Sequence, residues 1–195
     1  MKTLKRFFVN TWRKDHAVTS KDYSKTTKLV LGSLLGALAA IFQSAGIFVG
    51  VGYIFSILTT GPIVIATIIS IRIGLMTYVL TILLLAIIQP SELIVFPFTT
   101  GLLGISLGIG FRLLKTRMLV TLFAGTFLTL GILLVLFGLQ FPILGPSISS
   151  NVSLTVLIGT LLFSILYSWI WMKVSISGIK SLNKSIIKKM MVFDK

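Results

Sequence analysis

The chain has 195 residues, 55% hydrophobic and only 11% charged, with 18 Lys+Arg against 4 Asp+Glu and no Cys. A soluble domain carries about 25% charged residues, and the mean hydropathy here is +1.05. A soluble globular enzyme, a secreted disulfide scaffold and a disordered segment are therefore excluded, leaving a single all-α polytopic membrane domain.

The first 28 residues hold eight basic side chains, from Lys2 to Lys28. Leu4, Phe7, Phe8 and Trp12 fall on one face at helical spacing, which predicts an interfacial helix lying on the inner leaflet. No small-residue cleavage site follows a short apolar core, so a cleavable signal peptide is not expected. Residues 1–28 read as a basic cytoplasmic segment, 29–172 as the membrane domain, and 173–195 as a basic cytoplasmic tail. In that tail Ile179, Leu182, Ile186, Met190 and Phe193 make a second apolar stripe between lysines. Both stripes serve either as anchors or as docking faces for a cytoplasmic partner. Because the basic residues flank apolar spans, their excess fits positive-inside topology and anionic headgroups, and nucleic acid is not an expected partner.

Leu29 to Ile71 carries no charge and is roughly twice the length of one crossing. Ser44, Gly46, Gly50 and Gly52 weaken helix there and mark a turn. A break is expected near Thr59-Thr-Gly-Pro62. Ile73–Gln89 and Leu93–Phe111 each fit one crossing, with Pro90 between them. Phe141-Pro-Ile-Leu-Gly-Pro146 and the serines after it form a loop signature that divides Met118–Leu139 from Val152–Met172. If residues 1–28 and the Arg112, Lys115, Arg117 cluster both face the cytoplasm, the crossings between them are even in number. The expectation is a bundle of six transmembrane helices with both ends inside. Every Lys and Arg, Arg72 included, then lies on the cytoplasmic side.

Catalytic groups are nearly lacking. The one His, His16, sits in the basic N-terminal segment, flanked by Asp15 and Asp22 and away from any span, and neither an H-E-x-x-H nor a Walker A pattern occurs. The chain is expected to be neither an enzyme nor a user of a metal or cofactor. Glu92 is the one acid between spans on the outer side. It either engages a cationic or hydrogen-bonding solute or simply favours the start of the fourth span through the helix dipole. Gln43, Gln89 and Gln140 lie at outer span ends and could line the same pocket, with Tyr53, Phe96 and Phe98 as stacking surfaces; snorkelling at the interface is the plainer account. Trp169 and Trp171 read as aromatic-belt residues. Gly32, Gly36 and Ala40 recur every four residues on the first span, and Gly101, Gly104 and Gly108 form a stripe on the fourth. Such faces let helices approach closely, either inside the bundle or against a separate membrane subunit.

Six spans in about 190 residues, both ends inside, and a small-residue stripe opening the first span resemble an S component of an energy-coupling factor (ECF) transporter. Thr60-Gly-Pro62, Arg72-Ile-Gly74 and Phe96-Pro-Phe-Thr-Thr-Gly-Leu-Leu-Gly104 with Gly108 are similar to the related YybS-like membrane family. The resemblance covers roughly Lys28 to Met172. It implies a multi-pass protein of the bacterial plasma membrane that binds a vitamin-like micronutrient from outside. It also implies a transmembrane coupling subunit, joined to two cytosolic ATPase subunits, that docks on the small-residue face of the first span, here Gly32, Gly36 and Ala40. Two other classes stay open. One is a non-transport immunity, assembly or regulatory factor that binds a partner through its glycine faces; the other is a self-contained channel, which would need a polar path through the bilayer.

Overall fold

The computed structural model describes residues 24–47, 51–141 and 154–193, except the side chains of 47, 51–54 and 180–193. The amphipathic stripe expected near the N-terminus and the loop expected after Phe141 lie outside the described residues. Among those residues every regular element is helical.

Helix α1 spans Lys25–Ser44, capped by the Ser24 hydroxyl, which accepts from the Thr27 amide at 3.1 Å. A 3₁₀ turn at Ala45–Ile47 follows, in the region where the glycines predict a turn. The second apolar stretch is broken as expected. Helix α2 (Val51–Leu58) stops at Thr59, and α3 (Thr60–Ile69) begins there with Pro62 in its first turn, where a missing N–H costs no helical bond. An extended Ser70 turns the chain into α4 (Ile71–Ile88). Gln89 leaves helical geometry because Pro90 disfavours it in the preceding residue. The short α5 (Glu92–Val95), a 3₁₀ turn at Phe96–Phe98 and α6 (Thr100–Leu113) form the next pass. Helix α7 (Arg117–Leu133) ends in a π-helical turn at Leu134–Gly138. Helix α8 runs unbroken from Leu154 to Phe193. The tail expected as a separate segment from residue 173 is thus a continuation of the last helix, since nothing between Lys173 and Phe193 interrupts helical periodicity.

Among the described residues five helices are long and apolar enough to cross a membrane: Lys25–Ser44, Ile71–Ile88, Glu92–Leu113, Arg117–Gly138 and Leu154–Ile179. The remaining apolar stretch between α1 and α4 contributes one shorter apolar helix, Phe55–Ile69.

Helices α3 and α6 form the centre, α1 and α4 pack on one side of them, and α7 and α8 on the other. Small residues set these approaches. A side-chain carbon on Gly104 would come within 2.7 Å of Ile63, and one on Gly108 or Gly74 would collide with Thr67. Thr67 thus marks a crossing of three helices with no spare volume. Between α1 and α4, Thr77 donates to the Gly32 carbonyl at 3.0 Å and Thr81 to the Gly36 carbonyl at 3.2 Å.

Polarity is inverted relative to a soluble bundle. Thr60, Thr67, Thr77, Thr81, Ser164 and Ser168 are buried, while Leu34, Ile41, Met76, Leu83, Ile87 and Leu162 are exposed. Contiguous exposed apolar faces of this extent suit a hydrocarbon solvent. The buried threonines satisfy themselves on helix carbonyls, as at Thr67–Ile63 and Thr129–Gly125, both 2.8 Å.

Candidate functional site

The bundle has two distinct ends. At one, Arg112 donates to the carbonyls of Ile68 and Ile69 at 2.7 and 3.2 Å, satisfying acceptors that the end of α3 leaves open. Arg72 lies in the first turn of α4 just beyond, and Arg117 opens α7.

The opposite end holds a polar chain. Gln43, in the last turn of α1, is 1% exposed. Its Nε2 donates to Glu92 Oε2 at 2.7 Å, and its Oε1 accepts from the Thr100 hydroxyl at 3.0 Å. Thr60 in turn donates to the Thr100 carbonyl at 3.3 Å, and Thr59 reaches the Ala39 carbonyl at 3.5 Å. One run of hydrogen bonds therefore ties α1, α3, α5 and α6 together. The other Glu92 oxygen, Oε1, faces the 3₁₀ turn after α1, at van der Waals distance from where a Gly46 side chain would begin. Gln89 Oε1 is buried and has no hydrogen-bond partner among the described residues.

Of the predicted pocket residues, the structure joins Gln43 and Glu92 directly. Gln89 comes three residues before Glu92, across the Pro90 turn. Tyr53 is on α2, with its side chain outside the described residues. Gln140 is exposed, sits past the π-helical turn in left-handed geometry (φ 52°), and makes no bond to the cluster among the described residues. Phe96 is not a stacking surface. It is 0% exposed in a core with Ala39, Ile63 and Leu85, its ring 5.6 Å from that of Tyr78, because the 3₁₀ turn drives it inward. Tyr78 pins that turn by donating to the Pro97 carbonyl at 2.9 Å.

Gly32, Gly36 and Ala40 face inward as well. Ala40 is fully buried, and side-chain carbons on Gly32 and Gly36 would come within 2.7 Å of Ile73 and 3.1 Å of Leu80. Helix α4 therefore occupies the stripe expected to meet a coupling subunit. Trp171 is likewise no belt residue; it is buried in the core, with its ring against Gly61. Trp169 is exposed, with Lys173 Nζ 3.6 Å over its ring.

Sequence reasoning missed Thr100 and Thr60. The signal was the Thr99-Thr100 pair just ahead of an apolar helix, a position where hydroxyls reach neighbouring elements. Among the described residues, no three His, Cys, Asp or Glu side chains gather as metal ligands do. Chemically the cluster is rich in acceptors. One carboxylate oxygen is committed to Gln43, while the other and the Gln89 carbonyl are suited to a group that donates hydrogen bonds.

Fold and site together define the class: an all-helical, multi-pass membrane protein with one hydrogen-bonded polar cluster at an end of its bundle. No family model, no curated protein and no solved structure matches the chain.

Proposed function

We propose that this chain is the membrane-embedded substrate-binding subunit of an ATP-driven micronutrient uptake transporter of the bacterial plasma membrane, powered by a separate coupling subunit and two cytosolic ATPases. The observation that carries the reading is the Thr100–Gln43–Glu92 chain, a polar cluster built from three separate elements at one end of the bundle. Isolated polar residues in a membrane protein are costly, and a convergent set marks a candidate ligand site. The substrate is a small molecule with an ammonium or hydroxyl donor for Glu92 and Gln89.

In this reading the chain crosses the bilayer six times with both ends in the cytoplasm. Helices α2 and α3, with Thr59 between them, provide about 28 Å of helical path, close to the hydrocarbon thickness of about 30 Å. Arg72, Arg112, Arg117 and Lys173 then lie on the cytoplasmic side and Glu92 on the outer side. The coupling surface is the outward face of α1, where Leu34, Leu38 and Ile41 are exposed, since α4 fills the glycine face.

Two measurements on protein purified in mild detergent test this. Mass spectrometry of retained small molecules is expected to find a donor-bearing solute that Glu92→Gln and Gln43→Leu release. Pull-down is expected to recover a membrane subunit and two ATPases. A stable partner without ATPases, and no retained solute, would establish the non-transport alternative instead.

A further inference from the structure

The basic end of the bundle carries a second feature, independent of the Glu92 cluster. A groove of about 480 Å³ runs between α7 and α8. Its polar lining is Arg117, Thr121 and Lys173, with Trp169 beside Lys173; its apolar lining includes Leu122 and Leu162. The volume is in the range of small-molecule sites, roughly 300–1,000 Å³.

Three properties identify the occupant. The first is charge: both ionisable side chains in the lining are cationic. Glu92 is the sole carboxylate among the described residues, and it lies at the other end of the bundle. The second is placement of that charge. The Lys173 ammonium is held 3.6 Å over the exposed Trp169 ring, an aromatic of the kind that sits at headgroup level, so a cation is kept at the mouth of the groove. The third is length. From Lys173 to Leu162 along α8 is about 16 Å at 1.5 Å per residue. One leaflet of hydrocarbon is about 15 Å deep. A negatively charged head with an apolar tail of one-leaflet length is a phospholipid, and basic pockets between membrane helices are suited to anionic headgroups.

We propose that the groove between α7 and α8 binds one anionic phospholipid. Arg117 and Lys173 hold its phosphate, and an acyl chain lies along Leu122 and Leu162.

The test is native mass spectrometry of the full chain, with phosphatidylglycerol and phosphatidylcholine of identical acyl chains. Wild type is expected to retain phosphatidylglycerol preferentially. Arg117→Gln and Lys173→Gln are each expected to lower that retention roughly fivefold, whereas Arg72→Gln, outside the groove, leaves it unchanged. Leu162→Trp, which keeps both charges but fills the apolar part, is expected to lower retention too, and covers the case in which an arginine or lysine variant fails to fold. Equal retention of the two lipids, or an Arg72→Gln loss as large as that of Arg117→Gln, overturns the proposal in favour of diffuse attraction. Displacement of the lipid by millimolar inorganic phosphate overturns it in favour of a simple anion site. A wild-type dimer abolished by Leu162→Trp overturns it in favour of a second copy of the chain in the groove.

Discussion

Replacing Gln43 by leucine isolates what the polar cluster contributes. The substitution keeps the volume of a side chain that is 1% exposed and removes both of its hydrogen bonds, 2.7 Å to Glu92 and 3.0 Å from Thr100. A hydrogen bond to a charged group nets about 1.5–3 kcal/mol and a neutral one about 1 kcal/mol. Polar pairs between membrane helices measure lower, about 0.6 kcal/mol on average and at most about 1.7. Glu92 is half-buried at the end of the bundle and recovers some hydration once its donor is gone. The expected cost is therefore about 1.5–2.5 kcal/mol, most of it from the Glu92 bond. The assay is reversible unfolding in mixed micelles for Gln43→Leu, Glu92→Met and the double variant. A coupling of about 1 kcal/mol is expected across the cycle. Additivity within about 0.3 kcal/mol would show that the two residues are neighbours without energetic dependence, and the cluster would lose its standing as a unit.

Gly36→Leu is expected to lower stability by about 1–3 kcal/mol through overpacking, because even a first side-chain carbon there meets Leu80 at 3.1 Å. Leu80→Ala should restore part of the loss in the same unfolding assay. If Gly36→Leu instead left stability intact and only weakened a pull-down, the stripe would be an outward docking face. Phe96→Ala should cost about 3–5 kcal/mol as a core truncation; a loss of retained solute at unchanged stability would restore Phe96 to the ligand pocket.

Some of the fold could be read residue by residue. The break at Thr59 and the end of α4 before Pro90 follow from local chemistry, since proline and its predecessor restrict the backbone whatever surrounds them. Partnering could not be read this way. The Gly32, Gly36 stripe announces close approach, but a spacing of four residues is the same whether the neighbour is α4 or another protein. Gln43 and Glu92 are 49 positions apart, and nothing local links them. Thr100 went unnoticed because one hydroxyl ahead of an apolar helix is ordinary until its acceptor is known.

Composition alone determined the solvent of this protein: with 11% charged residues, hydrocarbon is the one medium that accepts its surface, and helices are what satisfy a backbone there. The order of residues along the chain located the basic ones beside the apolar stretches. Which face of each helix turns inward was decided only by tertiary packing. In lipid an apolar side chain is as well accommodated on the outer face as in the core, so its hydropathy alone does not say which way it points. The choice passes to shape and to paired polar groups: Thr67 against Gly74 and Gly108, Thr77 on the Gly32 carbonyl, and Gln43 between Thr100 and Glu92.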